Sequence, residues 1–180
     1  MKKLLVLLFL LQTSLSKAQI LTGISARYND AFVDWDIYTD NDDEQGSLTM
    51  TWQKPDDWTQ WTYRIGDKSG AIKTKWIRDL SLWEVRGDNK IIAIQMIWAN
   101  DPRSWRVTDN TVSLDIKSRL GMDFQEWNVD EGKRGKLTIF MNKYNDPRDW
   151  NIEDELDESI PLPMKMAILF IVIFNSVPKN

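Results

Sequence analysis

The chain has 180 residues, 23 of them basic and 27 acidic, with ten tryptophans and neither histidine nor cysteine. That composition excludes Ser-His-Asp and Cys-His nucleophiles and nitrogen- or sulfur-ligated zinc. No cofactor and no metal is therefore expected, and the chemistry left is that of carboxylates, lysines and oxygen-ligated cations.

Lys2 and Lys3, the apolar run Leu4 to Leu11 and the small residues Ser16 and Ala18 read as a signal peptide over residues 1–18. The expectation is a chain exported to the periplasm or secreted, cleaved near Ala18. The alternative is an uncleaved N-terminal anchor. The run is too short to cross a bilayer, so no transmembrane span is expected. Residues 19–180 have the length of one domain, and a monomer is expected. Loss of Lys2, Lys3 and Lys17 takes the net charge from −4 to about −7. Nucleic acid is excluded as a partner, since phosphates require the opposite balance, and nonspecific adsorption to anionic lipid is disfavoured on the same ground.

A repeat follows. Trp61, Trp83, Trp105 and Trp127 are 22 residues apart; Trp150 comes 23 later and Trp35 lies 26 before. Fixed-period self-similarity is the mark of a repeat architecture. Residues alternate around each tryptophan, as in Trp83-Glu84-Val85-Arg86 and Trp105-Arg106-Val107-Thr108, which is the period of a half-buried strand. Turn residues come next: Asp40 to Gly46, Gly66 to Gly70, Gly87-Asp88-Asn89, Asp109-Asn110 and Glu131 to Gly135. A second alternating run then places Leu48, Met50 and Trp52 on one face. Ile92, Ile94, Met96 and Trp98 do likewise, as do Val112, Leu114 and Ile116, then Leu137, Ile139 and Met141. The Ile72, Thr74, Trp76 copy is weaker. Each repeat is one β-hairpin, and six hairpins predict about twelve antiparallel strands.

The connectors between hairpins carry an aspartate four residues before the tryptophan: Asp57, Asp79, Asp101, Asp123 and Asp146. Such a residue can accept a backbone N–H two positions on and so build a corner. The sharper reading, a ring of calcium ligands, fits less well, because calcium loops cluster their oxygens within one segment. Three connector residues are candidate ligand contacts. Trp58 is either an apolar plug or an exposed platform for a sugar or apolar ligand. Arg103 and Arg148, two residues before their tryptophans, can stack on an aromatic, pair with a connector aspartate or reach a ligand. The acidic runs Asp40 to Glu44 and Glu153 to Glu158 read as solvated loops.

The last copy does not finish as a hairpin. Pro161-Leu162-Pro163 interrupts it, and residues 166–174 are apolar throughout. A transmembrane helix is too long for this run, and a buried strand fits its β-branched content. A buried helix over about 164–177 fits better. Twelve strands tilted by about 40° and spaced by about 4.8 Å close into a wall roughly 24 Å across. Inward side chains leave a bore of roughly 12–14 Å, about the width of one helix. A helix sheathed by a wall is apolar on every side.

The predicted fold is therefore a closed, twelve-stranded antiparallel barrel of six hairpin repeats with a hydrophobic C-terminal helix through its centre. That arrangement resembles the tubby C-terminal domain, to which phospholipid scramblases and LURP-one-related proteins look related. The likeness rests on the hairpins and on Met164 to Ser176 and covers Tyr28 to Val177. It implies the fold and carries over no site. A β-trefoil of the lectin type also has six hairpins, but its unit would be twice as long; a propeller needs four strands per blade. The functional expectation is a non-catalytic exported module that binds a lipid, glycan or protein through a rim or the outer wall. The alternatives are a trefoil-like glycan-binding module and a carboxylate hydrolase of the glycosidase kind.

Overall fold

A computed structural model describes residues 20–51, 57–77 and 79–179. The expected leader and Trp52 lie outside them. The strands are β1 (Leu21–Ala26), β2 (Asp34–Thr39), β3 (Gly46–Met50), β4 (Gln60–Ile65), β5 (Lys68–Thr74) and β6 (Leu82–Gly87). The second half of the wall is β7 (Lys90–Trp98), β8 (Asp101–Thr108), β9 (Ser113–Leu120), β10 (Asp123–Asp130), β11 (Gly135–Met141) and β12 (Asp149–Leu156). One helix, α1 (Leu162–Ser176), ends the fold. Each strand pairs antiparallel with the next, and β1 pairs with both β2 and β12, so the wall closes with no free edge.

The closure corrects the hairpin count. The repeats from Trp35 onward supply eleven strands, and the twelfth is β1, which precedes the first tryptophan. It pairs with β12 through Ile24 opposite Trp150, so the sixth hairpin is split between the two ends of the chain. An antiparallel barrel requires an even number of strands, and the N-terminal segment supplies the missing one.

Alternation holds where the wall surrounds the helix. Trp35, Trp61, Trp83, Trp105, Trp127 and Trp150 are all buried, with the branched residues two places on. It fails at the strand ends. Trp98 and Trp76, expected on the inward face, are 67% and 62% exposed. A register shift between Met96 and Trp98 takes the first out of phase. The second lies in the loop after β5.

The helix runs through the bore as predicted, starting two residues earlier than expected. Pro163 sits in its first turn, where a missing N–H costs nothing. Every residue from Leu162 to Phe174 is buried. Phe170 and Phe174 meet Trp83 edge-on at 4.8 and 4.9 Å between ring centres, and Phe170 also meets Trp61 at 5.9 Å. Each buried indole contributes on the order of 2–3 kcal/mol.

Tyr63 stands where the other repeats hold a branched aliphatic. Its row across the wall is Tyr63, Gly70, Gly87. Gly70 is thus a strand residue facing the phenol and not part of the preceding turn. A methyl group on either glycine would overlap the Tyr63 ring or hydroxyl. That hydroxyl is buried with no hydrogen-bond partner among the described residues, and burial raises its pKa. Gly87→Ala should cost about 1–3 kcal/mol through overpacking. Tyr63→Phe should be neutral or gain about 1 kcal/mol, because it removes an unsatisfied polar atom. In the Tyr63→Phe background the cost of Gly87→Ala should fall sharply, since the hydroxyl is the nearest atom to the added methyl. A urea-denaturation cycle of the four proteins reads the coupling; additive losses would mean that the two sites do not clash.

Candidate functional site

The six corners share one hydrogen-bond plan. Each signature indole N–H donates to the carbonyl three residues earlier: Trp35 to Phe32, Trp61 to Trp58, Trp83 to Leu80, Trp105 to Pro102, Trp127 to Phe124 and Trp150 to Pro147, at 2.8–3.2 Å. This explains why the position is tryptophan and not phenylalanine. The ring fills the core while its N–H satisfies a connector carbonyl.

Each connector aspartate accepts the N–H two residues on, from Thr59, Ser81, Arg103, Gln125 and Arg148. The side chain of that same residue folds back onto the carboxylate in every copy. Arg103 and Arg148 therefore occupy the place of Thr59 and Ser81. Their guanidinium groups grip Asp101 and Asp146 through two bonds of 2.7 Å each. These bonds hold both carboxyls down at about 2, below the usual 3.8. The carboxylates are thus absorbed in local turns, one per repeat. No group of acidic side chains fit to hold a metal ion occurs among the described residues.

Trp58 is half-buried against Trp61, with ring centres 5.5 Å apart. Lys179 places its ammonium 4.1 Å from the Phe174 ring centre and 5.9 Å from that of Trp58, and desolvation lowers its pKa. Trp58 is thus part of the seal over the C-terminal end of α1. The three candidates do not converge. They lie at the starts of β4, β8 and β12, each four strands from the next around the wall. Arg148 borders a hollow of about 430 Å³ at the rim with Phe32, Tyr144 and Pro178.

A more capacious groove, of about 660 Å³, lies on the outer face of β9 to β12. Its floor is two cross-strand rows, Glu126 to Phe140 and Asn128 to Thr138 to Glu153. A register shift between Asp123 and Trp127 bends β10 beside it. Arg119 donates to both oxygens of Glu126 at 2.7 and 2.9 Å, the Asn128 amide reaches Glu126 at 3.4 Å, and the Thr138 hydroxyl donates to Asn128 at 3.1 Å. Thr138 is buried although it faces outward. Phe140, Leu120 and Tyr144 add apolar surface to this polar row. The arrangement is aromatic and rich in directed donors and acceptors.

Sequence reasoning missed this groove because its residues come from three repeats and most sit on the polar phase of their strands. The one available signal was Phe140, an aromatic on the outward phase beside Ile139 and Met141. It missed the interior ion pair too. Lys165 on α1 and Asp154 on β12 meet at 2.7 Å with side chains 1% and 0% exposed. Asp154 belongs to the acidic run read as a solvated loop. It continues the inward phase of Trp150 and Ile152, which was the legible sign of burial. Compared with known proteins, the chain matches no family model, no curated protein and no solved structure.

Proposed function

We propose that the protein is an exported, non-catalytic binding module whose site is the outer groove across β9 to β12, and that its ligand is a saccharide. The carrying observation is the hydrogen-bonded row Arg119, Glu126, Asn128 and Thr138 beside the half-buried Phe140 ring that lines the groove. Sugars present apolar ring faces flanked by hydroxyls, and an aromatic next to paired donors and acceptors matches both. The bore is taken up by α1, which leaves the wall and the rims for recognition. Glu126 is engaged by Arg119 through both oxygens, which supports a positioning role over a hydrolytic one. Kinship with tubby-like proteins belongs to this proposal as a likeness of architecture and lends no residue to the site.

The test is calorimetric titration with a panel of neutral and acidic oligosaccharides. A bound member should lose about tenfold in affinity with Phe140→Ala, through lost stacking. Asn128→Ala should weaken it further by removing a paired amide. Unchanged affinity in both variants, or no binding by any member of the panel, would reject the groove as a saccharide site.

A further inference from the structure

We propose that the connector rim of the barrel is a membrane-docking surface, which seats in the interfacial layer of a phospholipid bilayer with the barrel upright on it. The exposed large apolar side chains gather at this rim. Trp76 and Ile77 lie in the β5–β6 connector, Trp98 at the tip of β7, Leu120 and Met122 around the β9–β10 turn and Tyr144 in the β11–β12 connector. Ile77 is 92% exposed and Tyr144 76%. Four consecutive connectors thus each hold out at least one such prong. The hairpin rim offers Ile20, Tyr38 and Ile91 among the large apolar side chains exposed in the described residues.

Charge is divided the same way. The loops of the hairpin rim hold Asp40, Asp42, Asp43 and Glu44 in one turn and Asp157 and Glu158 in another, with Lys133 and Arg134 the bases among them. The connector rim sets Lys75, Lys143 and Lys179 against Asp30, Asp57, Asp79 and Asp123, while Asp101 and Asp146 are neutralised by Arg103 and Arg148. The connector rim is thus near balance while the hairpin rim is acidic, so the molecule presents its apolar rim to an anionic surface and turns the acidic rim away, in spite of a negative total. Net charge alone pointed the other way because it averages over a surface that the fold polarises.

The occupant is lipid because the prongs stand on separate loop tips around a ring. A fluid interface takes up separate prongs, and tryptophan and tyrosine with flanking lysines are the side chains of that layer. The wall itself faces water. It carries the pairs Arg27–Asp36, Arg86–Glu84, Arg106–Asp115 and Arg119–Glu126, where a spanning barrel would show an apolar band.

Sedimentation of the full chain with vesicles of phosphatidylcholine, and of an equal mixture with phosphatidylglycerol, tests the proposal; residues 1–18 contribute equally to every variant. The wild type should co-sediment with both vesicles, carried by its apolar prongs. Ile77→Asp combined with Trp98→Asp should reduce the partition coefficient at least about tenfold, as expected for withdrawing large apolar side chains from a lipid-like phase. Its melting temperature should not move, since both residues are exposed. Ile91→Asp on the opposite rim should bind as wild type. Failure of the wild type to sediment with either vesicle, equal binding by the rim variant, or an equal loss with Ile91→Asp would each overturn the proposal.

Discussion

Lys165→Met is expected to destabilise the barrel by about 3–5 kcal/mol, although methionine suits a buried helix well, because it strands a buried carboxylate. The cause is the position of Asp154. One of its oxygens accepts the Lys165 ammonium at 2.7 Å and the Leu21 backbone N–H at 3.1 Å, and the other accepts the Leu156 N–H at 3.2 Å. The pair thus joins the first turns of α1 to β12 and to the beginning of β1, at the seam where the two chain ends close the wall. Asp154→Asn should be comparably harmful, since it leaves the ammonium without a countercharge. The double variant Lys165→Met/Asp154→Asn should recover much of the loss, because the amide can still accept a backbone N–H while no charge remains buried. Urea denaturation of the cycle measures this. A coupling energy below about 1 kcal/mol would show that the pair is not the lock of the seam.

Phe170→Asp is expected to leave no folded protein. The ring lies at the centre of the bore against Trp61 and Trp83 and is fully buried. A carboxylate there has no partner within the apolar packing and bears the full desolvation penalty. Phe170→Ala, which removes packing without adding charge, should cost about 3–5 kcal/mol. Loss of the near-ultraviolet dichroism of the ten tryptophans distinguishes the two outcomes. Retention of a native spectrum and melting curve by Phe170→Asp would mean that the helix is not the core. The same reasoning predicts that a chain truncated after Pro163 is insoluble, a wall with nothing inside it.

Much of the architecture was legible because two short-range regularities carry it. The tryptophan period marks one strand of each hairpin, and the alternation around it tells inside from outside. The corner aspartates were legible too, since an Asx turn is complete within three residues. The terminal helix was legible by width and by an apolar run that no single-faced element needs. What escaped was of another kind. Lys165 sits in an apolar run that its single charge hardly disturbs, and its partner is eleven residues away in an acidic stretch. Trp98 is turned out of phase by a register shift and Trp76 lies in the loop beyond β5, so neither follows the inward alternation that its run suggests.

By itself, the sequence determined the repeat, the strand and turn pattern, the corner chemistry and the helix that fills the bore, because each depends on neighbours within one hairpin or on bulk hydrophobicity. Only the tertiary structure decided which chain end supplied the twelfth strand and which outward side chains shared a groove. It also decided which buried carboxylate met a lysine and at which rim the exposed tryptophans gathered. Those placements depend on cross-strand register and on closure, which bring together residues from different repeats and leave no local signature in any one of them.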